Sequence, residues 1–123
     1  MNSSTAINPT EARAYFAAKI AYTLGPYELD SRLREGDDIV VVDVRAVEDF
    51  TKSHIPGAVN LPEEQWPTAE GLRKESINVL YCYNEDCHLA ATAAARWAGE
   101  GYPVMEMNGG FEAWKKNGFS VEP

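Results

Sequence analysis

A chain of 123 residues, 45% of them hydrophobic, suits one domain built on one core. Nineteen acids against eleven Lys and Arg give a formal net charge of -8, which disfavours non-specific binding to nucleic acid or to an anionic membrane. Two cysteines are too few for a disulfide scaffold, and no N-terminal apolar stretch resembles a signal peptide or a spanning helix, so the simplest location is the cytoplasm, with both thiols reduced.

Met1 to Asn8 is polar and aperiodic and reads as a flexible tail, which places residues 1–9 outside a domain over 10–123. Thr10 is placed to cap a helix through about Ala21, with Ala12, Tyr15, Phe16, Lys19 and Ile20 on one mostly apolar stripe. Tyr22-Thr23-Leu24 predicts a short strand closed by Gly25-Pro26, and Tyr27 to Arg34 a second helix. Ile39-Val40-Val41-Val42 is an unbroken β-branched run, the signature of a central parallel strand covered on both faces. A short helix fits Ala46 to Thr51, a turn Ser53 to Gly57, and a small strand Ala58 to Asn60. Pro62 to Glu75 reads as irregular, with a helical turn at Glu63 to Trp66 broken by Pro67. Val104 to Met107 predicts another strand, and Asn108-Gly109-Gly110 opens a last helix, Phe111 to Asn117. Strands and helices alternating in this way make an α/β fold, a largely parallel sheet with ligand sites beyond the carboxyl ends of its strands.

The informative stretch is Ile77 to Gly101. Val79-Leu80-Tyr81 reads as a strand ending at Cys82, a run of polar or ionisable positions follows, and an alanine-rich helix starts near Leu89. A cysteine where a strand delivers the chain to a helix N-terminus meets unpaired N–H groups and the positive end of a dipole, both of which stabilise a thiolate. The alternative is a buried, inert Cys82; the flanking Asn84, Glu85, Asp86 and His88 argue for exposure and reactivity.

Three stretches together resemble the rhodanese-like sulfurtransferase domain: Asp43-Val44-Arg45 with Glu48, Phe50 and His54-Ile55-Pro56-Gly57-Ala58; Tyr81-Cys82 before a loop and helix; and Gly109-Gly110-Phe111 with Trp114. The chain is also similar to bacterial single-domain members with an extra N-terminal helix and a Cys-x4-Cys loop, here Cys82 and Cys87. The resemblance implies a three-layer α/β/α fold on a parallel sheet of about five strands, and no cofactor or metal. It implies that Cys82 takes a sulfane sulfur from a small donor as a persulfide and passes it to cyanide, a thiol or a protein acceptor. The loop Tyr83, Asn84, Glu85, Asp86, Cys87 and His88 would hold the anion through converging N–H donors. Asp43 and Arg45 are expected to position loops, with Arg45 and Glu48 as one candidate ion pair. His54 is expected to serve as a hydrogen-bonded turn residue, Gly109-Gly110 as a tight turn and Trp114 as core.

The chain departs from the pattern where many family loops carry a basic residue, since Glu85 and Asp86 stand there instead. If they point inward they raise the Cys82 pKa and repel a dianion, making thiosulfate a poor donor; if outward, Asp86 caps the next helix. Ser53 stands in place of the usual glycine. Cys87 is either a half-buried residue at the helix start or a resolving thiol that attacks a Cys82 persulfide. Phosphatase chemistry is disfavoured because His88 occupies the position of a phosphate-clamping arginine. Zinc binding by Cys82, Cys87, His88 and His54 lacks a second separated ligand pair. A non-enzymatic sulfur carrier or redox sensor using Cys82 and Cys87 is the remaining alternative, and monomer and homodimer are both open.

Overall fold

The computed structural model describes residues 6–123, so the start of the expected tail lies outside the described residues. The chain runs α1 (Pro9–Tyr22), β1 (Thr23–Leu24), α2 (Pro26–Arg34), β2 (Ile39–Asp43), α3 (Val47–Lys52) and β3 (Val59–Asn60). A 3-10 helix (Glu63–Thr68), β4 (Ile77–Tyr81), α4 (Leu89–Gly99), β5 (Val104–Met107) and α5 (Gly110–Lys116) complete it. The five strands form one sheet in the order β1-β5-β4-β2-β3, and every pairing is parallel. Among the described residues, no helix is long and apolar enough to cross a membrane.

Strand alternation divides the core into two layers. Val41, Val79 and Tyr81 pack with Leu29 of α2 and Phe111 and Trp114 of α5. Val42, Leu80 and Cys82 point to the opposite face and pack with Trp66, Ala93 and Trp97. The two indoles of that layer meet edge to face, and Trp97 Nε1 donates to the Trp66 carbonyl oxygen (3.2 Å). The predicted irregular segment 62–75 thus contains a 3-10 helix that runs through Pro67 and buries Trp66.

Helix α1 differs from expectation in two ways. Its cap is Asn8, whose Oδ1 accepts from the N–H groups of Thr10 (2.9 Å) and Glu11 (3.2 Å), with Pro9 in the first turn. None of its residues is fully buried, and Tyr15, Phe16, Ile20 and Tyr22 lie open. At its end the Thr23 hydroxyl donates to the Lys19 carbonyl oxygen, fixing the join to β1.

Candidate active site

Below the carboxyl ends of β2 and β4 lies a buried polar cluster. Arg45 Nε and Nη2 grip the Asp43 carboxylate at 2.8 to 3.1 Å, both residues being essentially inaccessible. Asp43 also accepts from the Tyr81 hydroxyl (2.6 Å), which in turn accepts the Ile55 N–H (3.1 Å). Arg45 Nη2 donates to the Ser53 carbonyl oxygen (2.6 Å), and Asn60 Nδ2 donates to the carbonyl oxygens of Asp43 and Arg45. Burial lowers the Arg45 pKa, but the hydrogen bond and charge of Asp43 outweigh it, so the net shift is upward. Burial, then the negative charge of Asp43, pushes the Tyr81 hydroxyl far upward, keeping it a donor. Arg45 therefore pairs with Asp43 and not Glu48: the carboxylate two residues back is sealed beside it, whereas Glu48 sits in the exposed first turn of α3. His54 is buried, with Nδ1 2.9 Å from the Phe50 carbonyl oxygen and its ring stacked on Phe50.

Cys82 follows β4 directly. It is 2% exposed, against the expectation of an open thiol, because alternation along β4 turns it into the layer beneath α4. It is joined to Cys87 by a disulfide with the Cα atoms 6.4 Å apart, inside the span such a bond accepts. The loop over 83–88 is held from both ends. Tyr83 swings away, its hydroxyl donating to Asp49 Oδ2 (2.6 Å) and accepting the Ala46 N–H (3.1 Å). Burial and then the bond to Asp49 raise its pKa. Asn84 closes the turn: its Oδ1 accepts the Asp86 N–H (3.0 Å) and its carbonyl oxygen the Cys87 N–H (3.2 Å). Two of the expected cradle donors are thereby engaged inside the loop.

On the far side, the first N–H groups of α5 hold the loop carbonyls. Phe111 N–H donates to the Cys82 oxygen (2.8 Å) and Glu112 N–H to the Tyr83 oxygen (3.0 Å). Gly110, at φ 65°, makes this approach possible, since a Cβ there would lie 2.5 Å from the Asn84 nitrogen. The glycine pair read as a tight turn is thus also the seat of the cysteine loop.

A cavity of about 460 Å³ opens onto the disulfide, lined by Cys82, Asn84, Glu85, Cys87 and His88 from the loop. Glu85 faces the cavity; Asp86 is exposed and does not line it. Nor does Asp86 cap α4, whose N-cap is His88 with no side-chain hydrogen bond. Asp43, Arg45 and Tyr83 lie outside the lining. Sequence reasoning missed Lys19 and Glu106, which also face the cavity. Burial raises the Glu106 pKa, with partial relief from His88. Among the described residues, Lys19 makes no ion pair, and no three His, Cys, Asp or Glu side chains are grouped to hold a metal ion.

Residues 25–117 match the family model of the rhodanese-like domain. The chain belongs to that family. Among curated members, a thiosulfate sulfurtransferase of Pseudomonas putida is 32% identical over 73% of this chain and 82% of its own length. An HTH-type transcriptional regulator of Mycobacterium tuberculosis is 32% identical over 74% of this chain. This rhodanese-like chain spans only 41% of the regulator's length. A crystal structure from Bacillus halodurans superposes with a TM-score of 0.82 at 36% identity, covering 94% of this chain and 86% of the other. That cover leaves out fewer residues than α1 contains, so part of the extra helix has a counterpart outside the family domain.

Proposed function

We propose that this rhodanese-like chain is a sulfurtransferase working through a persulfide on Cys82. The observation that carries this reading is the placement of Cys82 at the carboxyl end of a central parallel strand, on a loop pinned by α3 and α5 and open to a cavity. With the disulfide reduced, the Cys82 thiolate attacks the outer sulfur of a donor. For thiosulfate, the S–S bond breaks, sulfite leaves with the electron pair, and Cys82 keeps the sulfane sulfur as a persulfide. Cyanide then takes that sulfur as thiocyanate, or a thiol takes it as a new persulfide, and the Cys82 thiolate is restored. The remaining N–H groups of the loop and the positive end of α4 hold the persulfide anion.

The disulfide supports a second role for the pair. Attack of the Cys87 thiol on the inner sulfur of the Cys82 persulfide forms the Cys82–Cys87 bond and releases hydrogen sulfide, a balanced step that parks the enzyme until a thiol reductant resets it. Intact mass after reduction and exposure to thiosulfate or to a small-molecule persulfide tests both parts. A Cys87→Ser variant is expected to gain and retain one sulfur, the wild type to gain it transiently and fall to the disulfide mass, and Cys82→Ser to gain none. A sulfur gain that persists in Cys82→Ser, or no gain by Cys87→Ser from either donor, overturns the assignment.

The charge lining the cavity makes thiosulfate a poor donor. Glu85 and Glu106 face it, and Lys19, supplied by α1, is the one Lys or Arg among the lining residues. Lys19→Glu is expected to raise the KM for thiosulfate by roughly 3- to 10-fold, the scale of a charge a few ångströms from a dianion in a solvated cleft. The effect should shrink as salt is added, with kcat nearly unchanged. Steady-state kinetics at two ionic strengths checks this.

A further inference from the structure

Helix α1 meets its own chain in its last turn, where Lys19 lines the Cys82 cavity and Tyr22 the apolar trough beside it. Helices of this length are marginal in water unless a face is buried, yet none of its fourteen residues is. Ile7, Tyr15, Phe16, Ile20 and Tyr22 are between 55% and 79% exposed, and among the described residues Tyr27, Val47 and Val121 are the other large hydrophobic side chains that are substantially exposed. Of the first five, Phe16 and Ile20 share one helix face, while Tyr22 lines the apolar trough of its own chain.

The same chain carries a groove of complementary character. Between α4 and the β1–β5 end of the sheet lies an apolar trough of about 450 Å³ whose α4 wall is made of Ala91, Ala94, Ala95 and Ala98. Small side chains allow a second helix to approach closely, and a parallel sheet ordinarily has helices across both faces. Opposite charges match as well. Glu106 is the one charged residue lining the trough. In a chain of net charge -8, α1 carries two cations, Arg13 and Lys19, against one acid, Glu11. Arg13, Phe16 and Ile20 follow the three- and four-residue spacing of one helix face.

We infer that the chain forms a two-fold dimer in which the Arg13–Phe16–Ile20 face of α1 from each copy docks in the trough of the other, with Arg13 meeting Glu106. Because each copy carries both helix and trough, the exchange is reciprocal and closes without leaving a free face. The trough shares Ala91 and Glu106 with the Cys82 cavity, so the second copy's helix forms part of the cavity rim.

Light scattering on the full chain from micromolar to submillimolar concentration tests this. The wild type is expected at twice the chain mass. Phe16→Glu and Ile20→Glu, at positions that bury nothing, are expected at the single-chain mass with circular dichroism showing the fold retained. Ala95→Glu, on the exposed trough wall, is expected to dissociate the dimer too, and Arg13→Glu to weaken it at least ~10-fold, more at low salt than high. A monomeric wild type throughout, or a wild type paired only with another protein or a lipid surface, overturns the inference. So does an Ala95→Glu variant that stays dimeric, which would place the contact elsewhere.

Discussion

Replacing Asp43 by alanine is expected to cost about 3–5 kcal/mol of folding stability, the scale for removing one partner of a buried ion pair. The magnitude follows from what is left behind. Arg45, 4% exposed, keeps its charge but loses the carboxylate that takes four of its hydrogen bonds, one from its backbone N–H. The Tyr81 hydroxyl loses its acceptor in the same step. Damage should reach the cysteine loop, because the Arg45 guanidinium lies 4.1 Å over the Phe111 ring, and the Phe111 N–H holds the Cys82 carbonyl oxygen. Urea unfolding of reduced protein gives the comparison, with Tyr81→Phe as the milder variant at about 1–3 kcal/mol. A loss below about 1 kcal/mol in Asp43→Ala would mean that water reaches Arg45 and that the cluster is not the anchor of this end of the sheet.

Much of the fold is legible in the residues because local signals agree with the tertiary ones. The β-branched run at Ile39 fits only a covered parallel strand, and alanine density marks α4. The family resemblance rests on stretches that the structure brings to one end of the sheet: Asp43-Val44-Arg45, the Cys82 loop and Gly109-Gly110-Phe111. What escapes depends on partners distant in sequence. Periodicity says which side chains of α1 share a face and is silent on whether anything covers that face, so the sequence shows an amphipathic stripe where the chain buries nothing. Polar neighbours suggest an open Cys82, but alternation along β4 decides its side, and with Leu80 it belongs to the layer under α4. The Asn8-Pro9 pair is a cap signal in plain view, and it prevails over Thr10. Lys19 as a cavity residue has no local signal, since only the β1–β5 pairing brings the end of α1 beside the loop.

The same distance effect makes Gly110 the most exacting test of how the loop is held. Gly110→Ala is expected to lower stability by about 2–4 kcal/mol and to slow sulfur loading of Cys82 at least ~10-fold. Two causes add. The residue sits at φ 65°, where a side chain is strained, and its Cβ would lie 2.5 Å from the Asn84 nitrogen, 2.7 Å from the Tyr83 carbonyl carbon and 2.9 Å from the Asn84 Cα. All three are backbone atoms, so the clash cannot be relieved by a rotamer change; either the loop over 83–88 lifts or the start of α5 retreats, and each breaks the Phe111 and Glu112 hydrogen bonds to it. Gly36→Ala separates the causes, since Gly36 has φ 81° and an added Cβ there would meet nothing within 4 Å. It should show backbone strain alone, about 1 kcal/mol, and no change in sulfur loading. Equal effects of the two substitutions on loading would show that Gly110 matters only for its turn, and that the loop keeps its shape without the close approach of α5.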